Sequence, residues 1–297
     1  QYSRYANNRT SMRYSLSKIL ETIDSNLEQF QTISQILNEW LITKDVQCKD
    51  IYLSRSDFNM VCAPFIQELQ GQFYNTKLRS VFMPLLQCVD QYAFFESGLP
   101  YIYLPSLTIA SKLSFSDNNF VVANFSKLKI LKGTHTFKNC KNLKLFNAQN
   151  LDRISEYCFQ SCQSLEKVLA NKALISDYSF FKCTSLKIIQ ASRASYFTCE
   201  CKQCPYCKNT LYGCMQRGQE FVKTQTFLRY IQQQENDGKY VKLSYQQTNQ
   251  IEKYSQNTSQ LNQKSEELKG FQARIKKLGK ILSELEQSNE VFTLGVE

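Results

Sequence analysis

The sequence predicts an α/β repeat solenoid of about seven short units, flanked by an N-terminal helix and a C-terminal helical tail with coiled-coil character. Three observations predict it. Phenylalanine returns at a period of 20 to 22 residues, Cys, Ser or Thr follows most of these phenylalanines at a fixed offset, and an apolar strand-like frame recurs between them. A fixed period outranks local patterns, because one repeat unit cannot bury its own apolar face and must stack on its neighbours.

The best copies are Phe137–Leu143, Phe159–Leu165 and Phe180–Leu186, each reading Phe-x-x-Cys-x-x-Leu. Stepping backwards lands on Phe115, Phe94 and Phe73, with Ser or Thr replacing Cys in the copies at Phe94 and Phe73. The second half of the unit begins at Phe58, Leu78, Leu99, Leu143, Leu165 and Leu186, with a degenerate copy near Val121. In Leu78-Arg79-Ser80-Val81-Phe82-Met83-Pro84, Val81 and Met83 are two apart, as one face of a strand requires. Proline after the strand cannot donate to a ladder and marks its end. A second apolar pair follows, such as Leu86 and Val89 or Leu151 and Ile154, and then the aromatic plug.

This unit resembles the BspA-like class of leucine-rich repeat, which runs roughly Leu-x-x-Ile-x-Ile-Pro, then Val-x-x-Ile, then Ala-Phe-x-x-Cys. Ser155–Cys162 and Asp90–Phe94 carry the likeness best, and it extends over about residues 58 to 198. The resemblance implies a leucine-rich-repeat solenoid and protein–protein contact, and in some members adhesion at microbial surfaces. Surface-displayed members are expected to carry a signal or an anchor. Neither is visible here, which favours an internal, cytoplasmic scaffold over the alternative of a secreted or surface adhesin.

The domains expected are a helical segment at 1–50, the solenoid at 51–198, a Cys-rich cap at 199–217 and a helical tail at 218–297. In the first, Leu16, Ile23, Phe30 and Leu37 form one row and Leu20, Leu27, Ser34 and Leu41 a second, predicting a helix over 14–42. It would cap the solenoid or dimerise. In the tail, Tyr254, Leu261, Leu268, Ile275 and Leu282 form one row, with Phe271, Leu278 and Leu285 on the other. Asn257 and Lys264 make part of that second row polar, so a marginal coiled coil over about 247–288 is expected to need a partner: a second copy in a homo-oligomer, the N-terminal helix or another protein.

Among twelve cysteines two groups stand out. Cys140, Cys162 and Cys183 hold one repeat position and read as small buried packing residues. Cys199, Cys201, Cys204, Cys207 and Cys214 crowd together after the repeats. Four thiolates so close can close a tetrahedral zinc site, and a structural zinc is the one cofactor expected. C-x-C is a tight spacing for one metal, so Cys214 competes as fourth ligand. Disulfides and free thiols are the other two readings of the cluster.

Partner contact is expected on the outward strand positions, led by the aromatic Phe82, Tyr101 and Tyr103 and including Asn147, Lys167 and Gln190. The competing reading is that these side chains pack beneath a flanking helix. From Leu99 to Met215 there are fifteen Lys/Arg against six Asp/Glu, a basic surface without any nucleic-acid-binding frame around it. The sole histidine, His135, reads as a packing or surface residue. The chain shows no glycine-rich phosphate loop, H-E-x-x-H, G-x-S-x-G or kinase signature, so the expectation is no enzyme. No run of eighteen apolar residues predicts a membrane-spanning helix.

Overall fold

In the computed structural model, residues 34–43, 52–195 and 199–232 are described. All fall within the first of two compact units, Gln1–Thr248; the second, Asn249–Glu297, lies outside them, and with it most of the coiled coil expected at 247–288. Residues 14–33 of the expected N-terminal helix are also outside the described residues.

The described chain winds as a β-solenoid of about seven turns. One side is built from β2 (Trp40–Ile42), β3 (Met60–Cys62), β5 (Ser80–Phe82), β8 (Val122–Asn124), β10 (Leu145–Asn147), β12 (Lys167–Leu169) and β14 (Ile188–Gln190). These pair in parallel and in register, as in Leu145↔Lys167 and Lys167↔Ile188. The inward residues Val61, Val81, Phe146, Val168 and Ile189 therefore lie in one row.

The ladder breaks at residues 101–104, between β5 and β8, and proline is the reason. At the start of the layers that begin at Asn59, Arg79, Lys144, Glu166 and Lys187 an amide reaches back to the preceding repeat, as Arg79 N does to the Asn59 carbonyl (2.6 Å) and Glu166 N to the Lys144 carbonyl (3.0 Å). Pro100 holds that position in its repeat and has no N–H to donate. Ile102 and Leu104 still point inward and are buried.

The second side is also strand: β4 (Glu68–Leu69), β6 (Cys88–Val89), β7 (Ile109–Ser111) and β9 (Ile130–Lys132) in one sheet, and β11 (Arg153–Ile154), β13 (Leu174–Ile175) and β15 (Arg193–Ala194) in another. The α/β expectation is corrected here: among the described residues no repeat contains a helix. With 20 to 22 residues per turn, only a few remain on this side, too few to repay the cost of nucleating a helix.

The third side carries the aromatic plugs. Phe73, Phe94, Phe115, Phe137, Phe159 and Phe180 are fully buried and stack at centroid distances of 5.7, 5.7, 5.4, 5.7 and 5.9 Å. Tyr52 extends the stack by one ring, 5.5 Å from Phe73. Two residues after each phenylalanine the backbone turns left-handed, at Asn75, Glu96, Asp117, Asn139, Ser161 and Lys182 (φ 51° to 61°). Such a conformation costs a non-glycine residue roughly 1–2 kcal/mol. In return the amides from Asn75 to Ser161 each face a carbonyl of the next repeat, as Asn139 N does Gln160 O (2.7 Å) and Ser161 N does Phe181 O (2.8 Å).

The recurrent cysteines are buried, and they also donate. The thiols of Cys140, Cys162 and Cys183 reach the carbonyls of Phe115, Phe137 and Phe159 in the preceding repeat at 3.2, 3.0 and 3.0 Å. Burial raises the pKa of Cys162 and Cys183 well above the ordinary thiol value, keeping the donating proton in place. Asn118 does the same work with its amide on the Phe94 carbonyl (2.7 Å).

At the N-terminal end the structure overturns the expected helix over 34–42. β1 (Gln35–Leu37) and β2 form an antiparallel hairpin with Leu37 opposite Trp40, and β2 pairs onward with β3. Asn38 and Glu39 both have positive φ (48° and 66°), as a two-residue hairpin turn needs. The Glu39 carbonyl accepts the amides of Asn59 and Met60 at 3.0 and 3.1 Å, joining the hairpin to the repeats.

Phe159 lies between Phe137 and Phe180 and also meets Phe146 edge-on at 4.9 Å. Phe159→Ala is expected to cost about 3–5 kcal/mol in denaturant unfolding; a loss below about 1 kcal/mol would mean that this ring is not a plug.

Candidate metal centre and the strand face

After β15 the chain passes through residues 199–210 into α1 (Leu211–Phe221). Tight turns fold Cys199, Cys201, Cys204 and Cys207 onto one another, and their four sulfurs lie within 4.8 Å of each other. The Cys201–Cys207, Cys199–Cys204 and Cys204–Cys207 sulfur pairs are each 3.7 Å apart. Four sulfurs at about 2.3 Å from a tetrahedral zinc would stand about 3.8 Å from one another. A disulfide would need about 2.05 Å. The four cysteines are thus spaced as a metal-holding set.

The electrostatics agree with that spacing. The amides of Lys182 and Cys204 point at Cys201 Sγ (3.5 and 3.4 Å), and the amide of Lys202 at Cys207 Sγ (3.2 Å). Burial alone would raise the Cys201 thiol, but the amides of Lys182, Gln203 and Cys204 outweigh it and bring the pKa down to about 6. Burial dominates at Cys199, pushed up to about 11, and at Cys204, which is also raised. Such a set binds metal by giving up protons, so its affinity rises with pH.

Cys214 lies elsewhere. It is buried on α1, its thiol 3.5 Å from the Leu186 carbonyl and 3.2 Å from an Arg217 nitrogen. The tight C-x-C pair supplies two members of the cluster, and Cys214 helps to dock the helix.

α1 runs across the edge of β14, the last strand of its sheet. Within the repeats the carbonyls of Lys144 and Glu166 accept amides from the next turn; at Lys187 no further repeat follows, and Arg217 Nε donates instead (2.8 Å). Lys182 N likewise donates to Cys201 Sγ, where earlier turns offer a carbonyl. Gly218 permits the approach: a methyl group there would sit 1.9 Å from the Ile189 carbonyl oxygen. Neither Arg217 nor Gly218 stands out in the sequence, since their partner is a backbone edge that exists only once the repeats have stacked.

A three-residue turn, Val222–Thr224, leads into a second helix, described over 225–232. Thr224 caps it, Oγ1 accepting the Phe227 amide at 3.3 Å. Phe227 is buried against Leu145 and Leu169, with Val122, Ile188, Phe221, Val222, Tyr230 and Ile231 packed around them. The outward strand positions of the last repeats are therefore covered.

This corrects the expected exposure of Asn147 and Gln190. Asn147 is wholly buried and Gln190 nearly so. They share an amide chain in which Asn147 Nδ2 donates to Asn124 Oδ1 (3.1 Å) and Gln149 Nε2 lies 2.9 Å from Asn147 Oδ1 and 3.1 Å from Gln190 Oε1. Lys167 is half-buried, its ammonium 5.6 Å from the Phe221 ring centroid. In the middle of the face Phe82, Tyr101 and Tyr103 are half-buried. His135 stacks on Tyr157 at 5.0 Å, and its pKa is lowered chiefly by burial, as befits a packing residue.

Parallel in-register strands, a plugged corner and a repeat of 20 to 22 residues define the described region as a leucine-rich-repeat solenoid. Residues 70–195 match the BspA type leucine rich repeat region in six copies. Among solved structures, the chain is similar to a leucine-rich repeat protein from Bacteroides ovatus ATCC 8483, at 14% identity and a TM-score of 0.40. That similarity covers 47% of this chain and 38% of the other. Comparison with curated proteins finds no match. No helix among the described residues is long and apolar enough to cross a membrane.

Two glycines of α1 offer a paired test. Gly218→Ala should lift α1 from β14 and destabilise the fold by about 1–3 kcal/mol, despite alanine being the better helix former by about 1 kcal/mol. At Gly213 a methyl group would meet only ordinary contact, 3.5 Å from an Arg217 nitrogen, so Gly213→Ala should leave stability unchanged or raise it. Thermal melts of both variants check this; equal melting temperatures would contradict the edge-docking role of Gly218.

Proposed function

We propose that this protein is a non-enzymatic interaction scaffold that binds another protein on the strand face of its repeats, with the solenoid closed by a structural zinc on Cys199, Cys201, Cys204 and Cys207. The observation that carries the reading is the line of half-buried aromatics, Phe82, Tyr101 and Tyr103, on the strand side of the solenoid, whose C-terminal part is already packed beneath a helix. Aromatic anchors on a preformed surface lose little side-chain entropy on binding. The BspA type repeat, a family often protein-binding or surface-related, supports the same class of function.

The zinc would act as a cross-link, holding the turn that carries α1 and supplying no reaction. Thiolate ligation belongs with a reducing compartment, and we assign the protein to the cytoplasm on that ground. The coiled coil over 247–288 would serve assembly, between copies of the chain or with a partner.

Protein purified without reductant or chelator should carry about one zinc per chain, with the cluster thiols reduced. Cys204→Ser should lose the metal and Cys214→Ser should keep it. Absence of metal, with the cluster cysteines oxidised in pairs, would overturn the zinc reading and favour an exported adhesin.

The strand face is tested apart from the metal. Tyr101→Ala combined with Tyr103→Ala should abolish partner retention by the immobilised full chain without lowering its melting temperature. Unchanged retention would remove the strand face from the function, and a lost fold would assign the two rings to packing.

A further inference from the structure

The face covered by helix 225–232 has a chemical character that its cover does not match. Leu145, Lys167 and Ile188 lie in register as one outward row, Val122 extends it on β8, and Leu169 stands in the next row. Lys144 and Lys187 are exposed at the start of their strands, with Glu166 between them. The face is thus an apolar strip bordered by lysines. The segment 221–232 supplies the apolar half of a complement, with Phe227 buried and Tyr230 and Ile231 three and four residues further on along the same helix face. It contains no Asp or Glu and adds Lys223 and Arg229. Lys223 is paired within the cover's own approach, 3.0 Å from Glu220.

The strip therefore accommodates an amphipathic helix across its strands and is occupied by one whose charge adds to that of its lysine border. We infer that helix 225–232 is an internal stand-in, and that the strip over β8, β10, β12 and β14 receives an acidic amphipathic helix from a partner protein, with large apolar side chains at i, i+3 and i+4 and glutamates flanking them. Such a helix makes the same apolar contacts and adds attraction to Lys144, Lys167 and Lys187. α1 stays docked through Arg217 and Gly218, so displacement takes place beyond the Val222–Thr224 turn and leaves the solenoid closed. The inference rests on the strand face being the partner surface, and places a second contact C-terminal to Tyr101 and Tyr103.

The probe is a fluorescein-labelled helical peptide of roughly 15 residues with Phe, Leu and Phe on one face and Glu on the other, read by anisotropy against the full zinc-replete chain. Its control carries Lys for every Glu. The acidic peptide should bind, and the basic one about tenfold more weakly or not at all. Phe227→Ala, which removes the cover's buried anchor, should tighten binding by about five- to tenfold, because less of the chain is held in the covered state. Lys144→Glu with Lys187→Glu, both exposed and remote from the core, should weaken it by about tenfold. Equal binding of the acidic and basic peptides, or indifference to Phe227→Ala, would overturn the inference. If the acidic peptide fails while the Tyr101/Tyr103 variant still loses its partner, the general strand-face reading stands and only this second contact falls.

Discussion

Each turn of this solenoid hands a row of backbone amides and carbonyls to the next, and the rest of the structure depends on where that hand-over stops. Within the repeats it runs from turn to turn, interrupted on the strand side at Pro100: corner amides bond to the following turn, strand-start amides bond to the preceding one, and the phenylalanines stack along the same axis. At the ends the supply of partners runs out, and an unpaired polar edge is both costly when buried and open to aggregation when exposed. The N-terminal end uses the β1–β2 hairpin, whose Glu39 carbonyl takes the amides of the first full repeat. The C-terminal end uses side chains and sulfur in place of backbone, through Arg217 on the Lys187 carbonyl and Cys201 on the Lys182 amide.

This gives the cysteine cluster a structural meaning before any metal is considered. The turn that gathers four sulfurs also occupies the place of a missing repeat corner, and one of its sulfurs is the hydrogen-bond acceptor there. Tyr206 adds a second tie, its hydroxyl 3.5 Å from the Ser195 carbonyl. A metal on this set would stiffen the joint from which α1 departs, and α1 in turn positions the helix that covers the last strands. Solenoid end, cysteine turn and strand-face cover are one mechanical sequence.

The face itself is divided by what lies over it. Towards the C-terminus apolar residues that point away from the core are nonetheless buried, and Asn147 and Gln190 become members of an internal amide chain. In the centre the break caused by Pro100 coincides with the aromatic pair Tyr101 and Tyr103. The absent ladder bonds there leave a stretch of extended chain held by its inward Ile102 and Leu104. The inward side of this stretch thus contributes to the core, while its outward side is the face proposed for recognition.

Legible in the chain alone were the period, the inward strand residues, the aromatic plugs from Phe73 to Phe180, the Cys, Ser or Thr three positions after most of them, and the crowding of cysteines between Cys199 and Cys214. All of these repeat or sit close in the chain, so local spacing carries them. It misled over 34–42, where Leu37 and Leu41 continue a heptad row by count alone; in the fold they lie in the two strands of a hairpin, because β3 offers β2 a complete ladder and a helix would leave that edge unpaired. Which outward residues are covered, that Cys214 leaves the cluster to dock α1, that Tyr52 adds a ring to the stack, and that Arg217 and Gly218 meet the edge of β14 were decided only by the tertiary structure. Each depends on a neighbour distant in sequence, and a strand edge or a face has no location until the turns have stacked.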